Sequence, residues 1–193
     1  LTIIDGAHVP GHIDLDIKKL DPDIYTGACH KWMCTPKGIS FLYVRKKLQE
    51  NVHPLVVSWG WESENPGPSK FLDWHEWQGT RDMSAFLTVP AAVKFLAKYN
   101  WPEVAKKCRE QVVNTRDQFL TYLGISSPCP DNWLGQMASI PIPATDADTF
   151  KNKLLKVYKI QVPVFNWEGN TYLRYSIQAY NTKSDLDKLL SAV

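Results

Sequence analysis

Short apolar runs alternate with charged or Gly/Pro-rich connections over the first hundred residues. Three of these runs have the length and the β-branched or aromatic content of strands: residues 1–5, 23–29 and 39–45. Residues 13–20 have the apolar spacing of one or two helical turns. Residues 58–79 are rich in tryptophan, proline and glycine and indicate a long, ordered, aromatic loop.

From about residue 82 the spacing of apolar residues changes from the alternation of strands to the spacing of helices. Helical spacing runs from about residue 82 to 99 and from 102 to 123, and Pro102 stands at a first helical position, where a missing N–H does no harm. Beyond residue 136 the pattern predicts an α+β layer of strands 137–142, 160–165 and 171–177, a helix over 146–158 and a last helix from 183 or 184. We therefore divide the chain into domains 1–100 and 101–193.

The composition of the chain argues against several classes of protein. A chain of 193 residues is long enough to bury a sizeable core. Its formal charge of +2 lacks the basic excess of nucleic-acid binders, and no apolar run approaches the ~18 residues of a membrane span. Four cysteines without a CxxC pair predict neither a disulfide scaffold nor a metal site, so we expect a cytoplasmic protein without metal, nucleic-acid or membrane partners.

Two residues near strand ends suggest cofactor chemistry. Asp5 ends the first apolar run, where open α/β sheets bind ligands, although taken alone an N-cap or turn aspartate is the more ordinary role. Lys31 follows the second run beside Trp32, and apolar neighbours that desolvate a lysine make it nucleophilic toward an aldehyde. Pyridoxal phosphate needs both a carboxylate at its ring nitrogen and a lysine at its aldehyde. A surface lysine remains the alternative from spacing alone.

Longer motifs around these residues occur in the same order as in a known family. They are residues 5–11 (DGAHVPG), 25–32 (YTGACHKW), 36–38 (PKG), 41–45 (FLYVR), 78–82 (QGTRD), 173–176 (LRYS) and 180–182 (YNT). Together they resemble the class V aminotransferases, most closely the isopenicillin N epimerase-like branch. The resemblance implies an α/β fold: the C-terminal part of the large domain of a fold-type-I pyridoxal phosphate-dependent transferase, followed by a small α+β C-terminal domain.

The resemblance also implies roles at the cofactor. Lys31 would form the Schiff base with pyridoxal phosphate and move protons at the substrate Cα. Asp5 would pair with the pyridine nitrogen, His8 matches the position that contacts the ring hydroxyl, and His30 would help to hold the phosphate. A half-buried histidine bonded to backbone is the alternative for His8 and for His30.

Two further residues are assigned by the same resemblance. Thr80 precedes a helix predicted to start near Asp82, so its hydroxyl and the first free N–H groups could bind an anion, or it could simply cap that helix. In the family this segment reaches the phosphate of the neighbouring subunit, which implies a homodimer. Arg174 would grip the α-carboxylate of a small amino-acid substrate; an exposed salt bridge is its alternative.

These assignments predict an enzyme that transforms amino acids at Cα, of epimerase or aminotransferase type. A cysteine desulfurase-like or other pyridoxal phosphate lyase is the alternative, although residues 162–170 lack the cysteine that desulfurases carry there. The second alternative is a non-catalytic fragment that is retained as a scaffold. Because family members are roughly twice as long, we expect this chain to be a C-terminal half, one that alone binds the cofactor weakly or not at all.

Overall fold

The computed structural model describes residues 1–144 and 146–193. It contains two compact units, Leu1–Lys98 and Tyr99–Val193. Their assignment to a large and a small domain of a longer fold stays a prediction. None of the helices in the described part of the chain combines the length and the apolar character needed to span a bilayer.

The first unit is built on a three-stranded mixed sheet. Its strands are β1 (Ile3–Asp5), β2 (Ile24–Ala28) and β3 (Ser40–Val44), in the order β1-β2-β3. β1 runs parallel to β2 with Asp5 opposite Thr26, and β3 is antiparallel to β2. The parallel pair is joined through the short helix α1 (Ile17–Leu20), which starts because Asp16 accepts hydrogen bonds from two backbone N–H groups of the first turn.

The rest of the first unit is helical. It contains a 3-10 segment at Lys46–Asn51, helix α2 (Lys70–Glu76), a 3-10 turn at Phe86–Thr88 and helix α3 (Val89–Lys98). Helix α2 corrects the prediction of an uninterrupted loop over residues 58–79. It forms because the Ser69 side chain accepts from the Leu72 N–H and because Phe71 and Trp74 bury one face.

Helix α3 also begins later than the predicted start near Asp82. The Asp82 carboxylate accepts from the Ser84 N–H at 2.8 Å, which stabilises a local turn in place of a helix. Pro90 then stands in the first turn of α3, where a missing N–H costs nothing. The helix therefore starts at Val89.

The second unit packs helices on one antiparallel sheet. Its helices are α4 (Trp101–Leu123), α5 (Ala147–Lys153), which continues as a π-helical turn at Leu154–Tyr158, and α6 (Lys183–Ser191); a 3-10 turn lies at Asp131–Trp133. Its strands are β4 (Met137–Ile142), β5 (Val164–Trp167) and β6 (Asn170–Ser176), in the order β4-β6-β5. The predicted strand at 160–165 is shifted to β5, since Pro163 has no N–H to donate.

Alternation along β6 separates a core face from an open face. Leu173, Tyr175 and Ile177 are almost completely buried, and they pack in one cluster with Val112 and Phe119 of α4. The Tyr175 hydroxyl donates to the Val112 carbonyl at 2.7 Å inside this core. The open face carries the side chains between them, which places Arg174 opposite Ser139 of β4.

Candidate cofactor site

Asp5 and Lys31 lie beyond the carboxyl ends of two neighbouring parallel strands. Asp5 is the last residue of β1, and Lys31 follows three residues after the end of β2. The Gly6 N–H donates to the Thr26 carbonyl at 2.8 Å, which holds the two chains together at this end. Both residues therefore lie at the sheet edge where α/β folds place ligands.

Trp32 joins the two loops that carry these residues. Its buried ring stacks on His12 with centroids 4.3 Å apart, and its indole N–H donates to Nδ1 of His8 at 3.4 Å. Gly11 permits the contact, because a Cβ on it would lie 2.8 Å from the Trp32 carbonyl; its φ of 77° also favours glycine. The loop after β1 is thus packed directly on the loop after β2.

Asp5 and Lys31 both have polar groups available for a ligand. Both are exposed, and the Asp5 carboxylate accepts from the Ala7 N–H at 3.0 Å. In the described part of the chain, Lys31 makes no hydrogen bond and no ion pair. The expected desolvation of its amine is therefore not supplied within this unit, although its neighbours Cys29 and Trp32 are buried.

The His30 ring is fixed by the backbone of the chain preceding β3. Its Nδ1 lies 2.9 Å from the Ile39 carbonyl, so Nδ1 carries the proton and donates. The same carbonyl accepts from the backbone N–H groups of Cys29 and His30 at 3.0 and 3.3 Å. His30 is half-buried, and this backbone-bonded arrangement is the alternative raised for it from the sequence. The other ring nitrogen, Nε2, remains the one that could meet a phosphate.

Tyr25 places a buried hydroxyl against the Asp5–Gly6 corner. Its side chain is 1% exposed, and its oxygen has no hydrogen-bond partner among the described residues. A Cβ on Gly6 would lie 1.9 Å from that oxygen, so the ring can occupy this position only because residue 6 is glycine. Burial, and secondarily the Asp5 charge, raise the pKa of Tyr25.

Thr80 lies on a different loop of the first unit. It is exposed and lines a cavity of about 500 Å³ together with Trp77 and Arg81. The next helical turn along the chain begins only at Phe86, so the predicted position at a helix N-terminus was wrong. Any role in anion binding would have to come from its hydroxyl and from neighbouring side chains.

Arg174 belongs to the second unit. Its backbone N–H donates to the Pro163 carbonyl at 2.9 Å, and its side chain is half-buried on the open face of the sheet. The guanidinium Nε is buried without an acceptor in the described part of the chain. This is an arginine that can still bind an anion.

The structure thus brings Asp5, His8, His30 and Lys31 to neighbouring loops at one sheet edge. The sequence analysis missed the linking contact of Trp32 and the buried hydroxyl of Tyr25. The signal for Trp32 was its place directly after Lys31, but its partners depend on strand pairing. Among the described residues, no group of three or more His, Cys, Asp and Glu side chains could hold a metal ion.

Known proteins match this chain over its full length. Isopenicillin N epimerase of Amycolatopsis lactamdurans is 33% identical over 205 positions, which cover 100% of this chain and 52% of that protein. A probable chloroplastic L-cysteine desulfhydrase of Arabidopsis thaliana is 28% identical and covers 100% of this chain and 43% of its own. This chain therefore spans about half the length of the curated relatives it matches.

A solved structure shows the same fold. The apo cysteine desulfurase of Thermococcus onnurineus NA1 superposes with a TM-score of 0.77 at 18% identity, over 98% of this chain and 50% of that one. The predicted fold class, the α/β fold of fold-type-I pyridoxal phosphate-dependent transferases, is confirmed.

The residues at this sheet edge fit pyridoxal phosphate. The cofactor needs an amine for its aldehyde and a carboxylate for its pyridine nitrogen, and the edge offers both on adjacent loops. Polar ring substituents need hydrogen-bond partners. His8 lies on the same loop as Asp5, and the Tyr25 hydroxyl, which has no partner among the described residues, lies next to Gly6. The groups at this edge are therefore of the types that could hold pyridoxal phosphate.

A family model matches both units of the chain. The model for aminotransferase class-V matches residues 1–189, nearly the whole chain. It spans both units, including the loops that carry Asp5 and Lys31 and the strand that carries Arg174. The chain belongs to the class-V aminotransferase family, and its cofactor is pyridoxal phosphate.

Proposed function

We propose that this chain is the part of a pyridoxal phosphate-dependent enzyme that carries the cofactor-binding lysine, and that the enzyme acts at the Cα of a small amino acid. The observation that supports this most directly is the position of Asp5 and Lys31. They follow neighbouring parallel strands, and the loops that carry them are packed together through Trp32. A scaffold has no need of an exposed lysine and an exposed carboxylate at this edge.

Each residue has a distinct task in this proposal. When bound, the cofactor withdraws electrons from the substrate Cα through its protonated ring. The Asp5 carboxylate holds the proton at the pyridine nitrogen. Lys31 would hold the cofactor through its aldehyde group, and its free amine would remove and return the proton at the substrate Cα. His8 donates to the ring hydroxyl.

Phosphate and carboxylate groups are held by the remaining residues. In its doubly protonated form, His30 donates from Nε2 to the cofactor phosphate while Nδ1 donates to the Ile39 carbonyl. Thr80 contributes its hydroxyl to the phosphate of a partner subunit, which makes the active protein a homodimer. Arg174 binds the substrate α-carboxylate through the two parallel hydrogen bonds that a guanidinium can form. Free cysteines at positions 29, 34, 108 and 129 agree with a reducing, cytoplasmic setting.

The reaction class that we favour is epimerisation or transamination. The relative with 33% identity is an isopenicillin N epimerase, which supports proton removal and return at Cα without loss of a side-chain group. A lyase reaction on cysteine is the second candidate, because an L-cysteine desulfhydrase of 28% identity covers all of the chain. Cysteine desulfuration is less favoured, since residues 162–170 contain no cysteine.

Exchange of the Cα proton tests this proposal. The purified protein with pyridoxal phosphate is incubated with single amino acids in D2O, and loss of the Cα–H signal is followed by proton NMR. We expect exchange with at least one amino acid, accompanied by the opposite enantiomer for an epimerase or by a keto acid for a transaminase. Pyruvate and sulfide from cysteine would select the lyase.

Two lysine variants make the test specific. Lys31→Ala should abolish exchange, whereas Lys37→Ala, at another exposed lysine of the same loop region, should leave it unchanged. Absence of exchange with every amino acid, in a preparation in which borohydride reduction shows pyridoxal phosphate on Lys31, contradicts the proposed activity and favours a scaffold.

A further inference from the structure

The end of β6 is open on the side of β5. β5 pairs with β6 only as far as Val164, which lies opposite Leu173. The last backbone bond on this side runs from the Arg174 N–H to the Pro163 carbonyl at 2.9 Å. β6 continues to Ser176, and in the described part of the chain no strand lies beside its last residues on this side. The sheet therefore has a free edge at the end of β6.

Three backbone groups at this edge have no hydrogen-bond partner among the described residues. The Ile177 N–H donates to the Gln136 carbonyl on the β4 side. Because bonding alternates along an antiparallel ladder, Arg174 and Ser176 direct their backbone groups to the opposite side. Pro163 has no N–H to donate to the Arg174 carbonyl, and the Ser176 N–H and carbonyl likewise remain without a partner. The edge thus offers one donor and two acceptors.

A cavity of about 350 Å³ lies along this edge. Residues 159–163 border it on one side and α6 on another, and Arg174 and Ser176 of β6 also line it. Apolar side chains complete the wall: Ile160, Val162, Leu186 and Leu189. The volume is at the small end of the ~300–1,000 Å³ typical of ligand pockets, so the cavity admits a short stretch of extended chain and excludes a folded domain.

The wall of this cavity carries more positive than negative charge. Lys159 and Lys188 both line it, and both side chains are exposed. Lys159 Nζ donates to the Lys156 carbonyl at 3.0 Å, which leaves it two further N–H groups. Asp185 is the acidic residue of the wall, and one of its carboxylate oxygens accepts from the Thr182 N–H and hydroxyl at 2.8 and 2.9 Å. The wall thus complements a negatively charged ligand.

We propose that this cavity binds an extended, acidic segment of another protein as a short strand beside β6. Backbone N–H groups of the segment donate to the Arg174 and Ser176 carbonyls, and one of its carbonyls accepts from the Ser176 N–H. Its acidic side chains lie near Lys159 and Lys188. A small anion would supply the lysines and leave both carbonyls without a donor, so a peptide is the better complement. The proposal uses the backbone of Arg174 and goes beyond the role proposed for its guanidinium.

A peptide titration followed by NMR tests this proposal. The probe is acetyl-Glu-Val-Glu-Val-amide, whose two glutamates share one face of an extended chain. It is added to the full chain labelled with nitrogen-15, and the Ser176 amide signal is measured. We expect saturable downfield movement of the Ser176 amide proton, the direction that a new bond to a carbonyl causes. The same peptide methylated at its backbone nitrogens has lost its donors and should bind about tenfold more weakly. Glutarate, which has the same charge and no backbone N–H, should also bind more weakly than the peptide.

Lysine variants test the charged part of the site. Lys159→Gln combined with Lys188→Gln should weaken peptide binding about fivefold, because each exposed ion pair contributes only modestly. Lys183→Gln is the matched control and should leave the affinity unchanged. Lys183 lies on the same helix, pairs with Asp187 at 2.7 Å and does not line the cavity.

Three results would overturn the proposal. The first is a Ser176 amide that does not move with the peptide at millimolar concentration. The second is binding of glutarate or of the methylated peptide as tight as that of the unmodified peptide. The third is an unchanged affinity in the double lysine variant, because the acidic side chains would then have no partner. The titration requires neither Lys31 nor pyridoxal phosphate, so its outcome is independent of the proposed function.

Discussion

The indole N–H of Trp32 donates to Nδ1 of His8 across 3.4 Å, between two loops that lie far apart in the sequence. A histidine nitrogen that accepts a hydrogen bond carries no proton, so neutral His8 has its proton on Nε2. Nε2 is therefore the ring nitrogen that can donate, which is the role proposed for His8 at the cofactor hydroxyl. Trp32 acts here as a positioning residue next to Lys31.

Replacement of Trp32 should change the histidine tautomer. In the unmodified protein, nitrogen-15 NMR should show His8 with an unprotonated Nδ1 and a protonated Nε2. In Trp32→Phe the donor is lost and a mixture of tautomers is expected. Loss of the hydrogen bond should also lower the free energy of unfolding by about 0.5–1.5 kcal/mol, in addition to the effect of the smaller ring.

Trp74→Phe is the matched control for loss of the Trp32–His8 hydrogen bond. Trp74 is also buried, but its Nε1 has no partner among the described residues, so the substitution removes no hydrogen bond. A protonated Nδ1 of His8 in the unmodified protein would contradict the proposed contact.

Gly6 should tolerate no side chain while Tyr25 is present. Because a Cβ would lie 1.9 Å from the Tyr25 hydroxyl oxygen, Gly6→Ala forces the buried ring to move. We expect a loss of about 1–3 kcal/mol in the free energy of unfolding, the usual cost of overpacking. Urea denaturation of Gly6→Ala, Tyr25→Ala and the double variant measures the coupling; strictly additive losses would show that the two residues do not meet.

Stability should fall below neutral pH in part through His12. Burial lowers the pKa of His12 from its ordinary 6.5, and the hydrogen bond with the His8 carbonyl opposes this only partly. The unfolded chain therefore binds the proton first, so this contribution to stability decreases as the pH falls through 6.5 and levels off below the folded-state pKa.

His12→Phe keeps a ring to stack on Trp32 and removes the titrating group. Urea midpoints of the protein and the variant at pH 7.5 and 5 should show a smaller decrease in the variant. Because the two proteins differ only at residue 12, the difference between the two decreases isolates the contribution of His12. A decrease of equal size in both would contradict the assignment.

Tyr175→Phe should destabilise the second unit by about 1 kcal/mol, because the buried hydroxyl bond to the Val112 carbonyl is lost. Tyr172→Phe is the comparison. Tyr172 is half-buried on the opposite face of β6, and the structure gives its hydroxyl no bond among the described residues. Thermal unfolding should show a change within about 0.5 kcal/mol for Tyr172→Phe, and a similar loss in both variants would contradict the expectation.

Local sequence signals predicted most of the elements and missed those that depend on other parts of the chain. The apolar runs that became β1, β2 and β3 were predictable because strand length and β-branched content are local properties. Helix α2 was hidden in an aromatic segment, where proline and glycine suggested a loop and the Ser69 cap was the overlooked signal. The start of α3 was placed too early because an aspartate that caps a helix and one that closes a turn look alike in sequence.

The candidate site was predictable only as a set of residue types. Asp5 and Lys31 could be singled out by their places after strands and by family motifs. That Trp32 contacts His8 and His12 follows from the parallel pairing of β1 with β2, which sequence periodicity does not specify. That Nε of Arg174 is buried without an acceptor among the described residues likewise depends on packing around β6, so no local pattern indicates it.

Borohydride trapping tests the central claim, that Lys31 is the residue that bonds to pyridoxal phosphate. The purified protein is incubated with excess pyridoxal phosphate, reduced with borohydride and digested, and the modified lysine is located by mass spectrometry. The account predicts a phosphopyridoxyl group on Lys31, its loss in Lys31→Ala and its retention in Lys37→Ala. Modification of Lys37 or of scattered surface lysines, with none on Lys31, would contradict it.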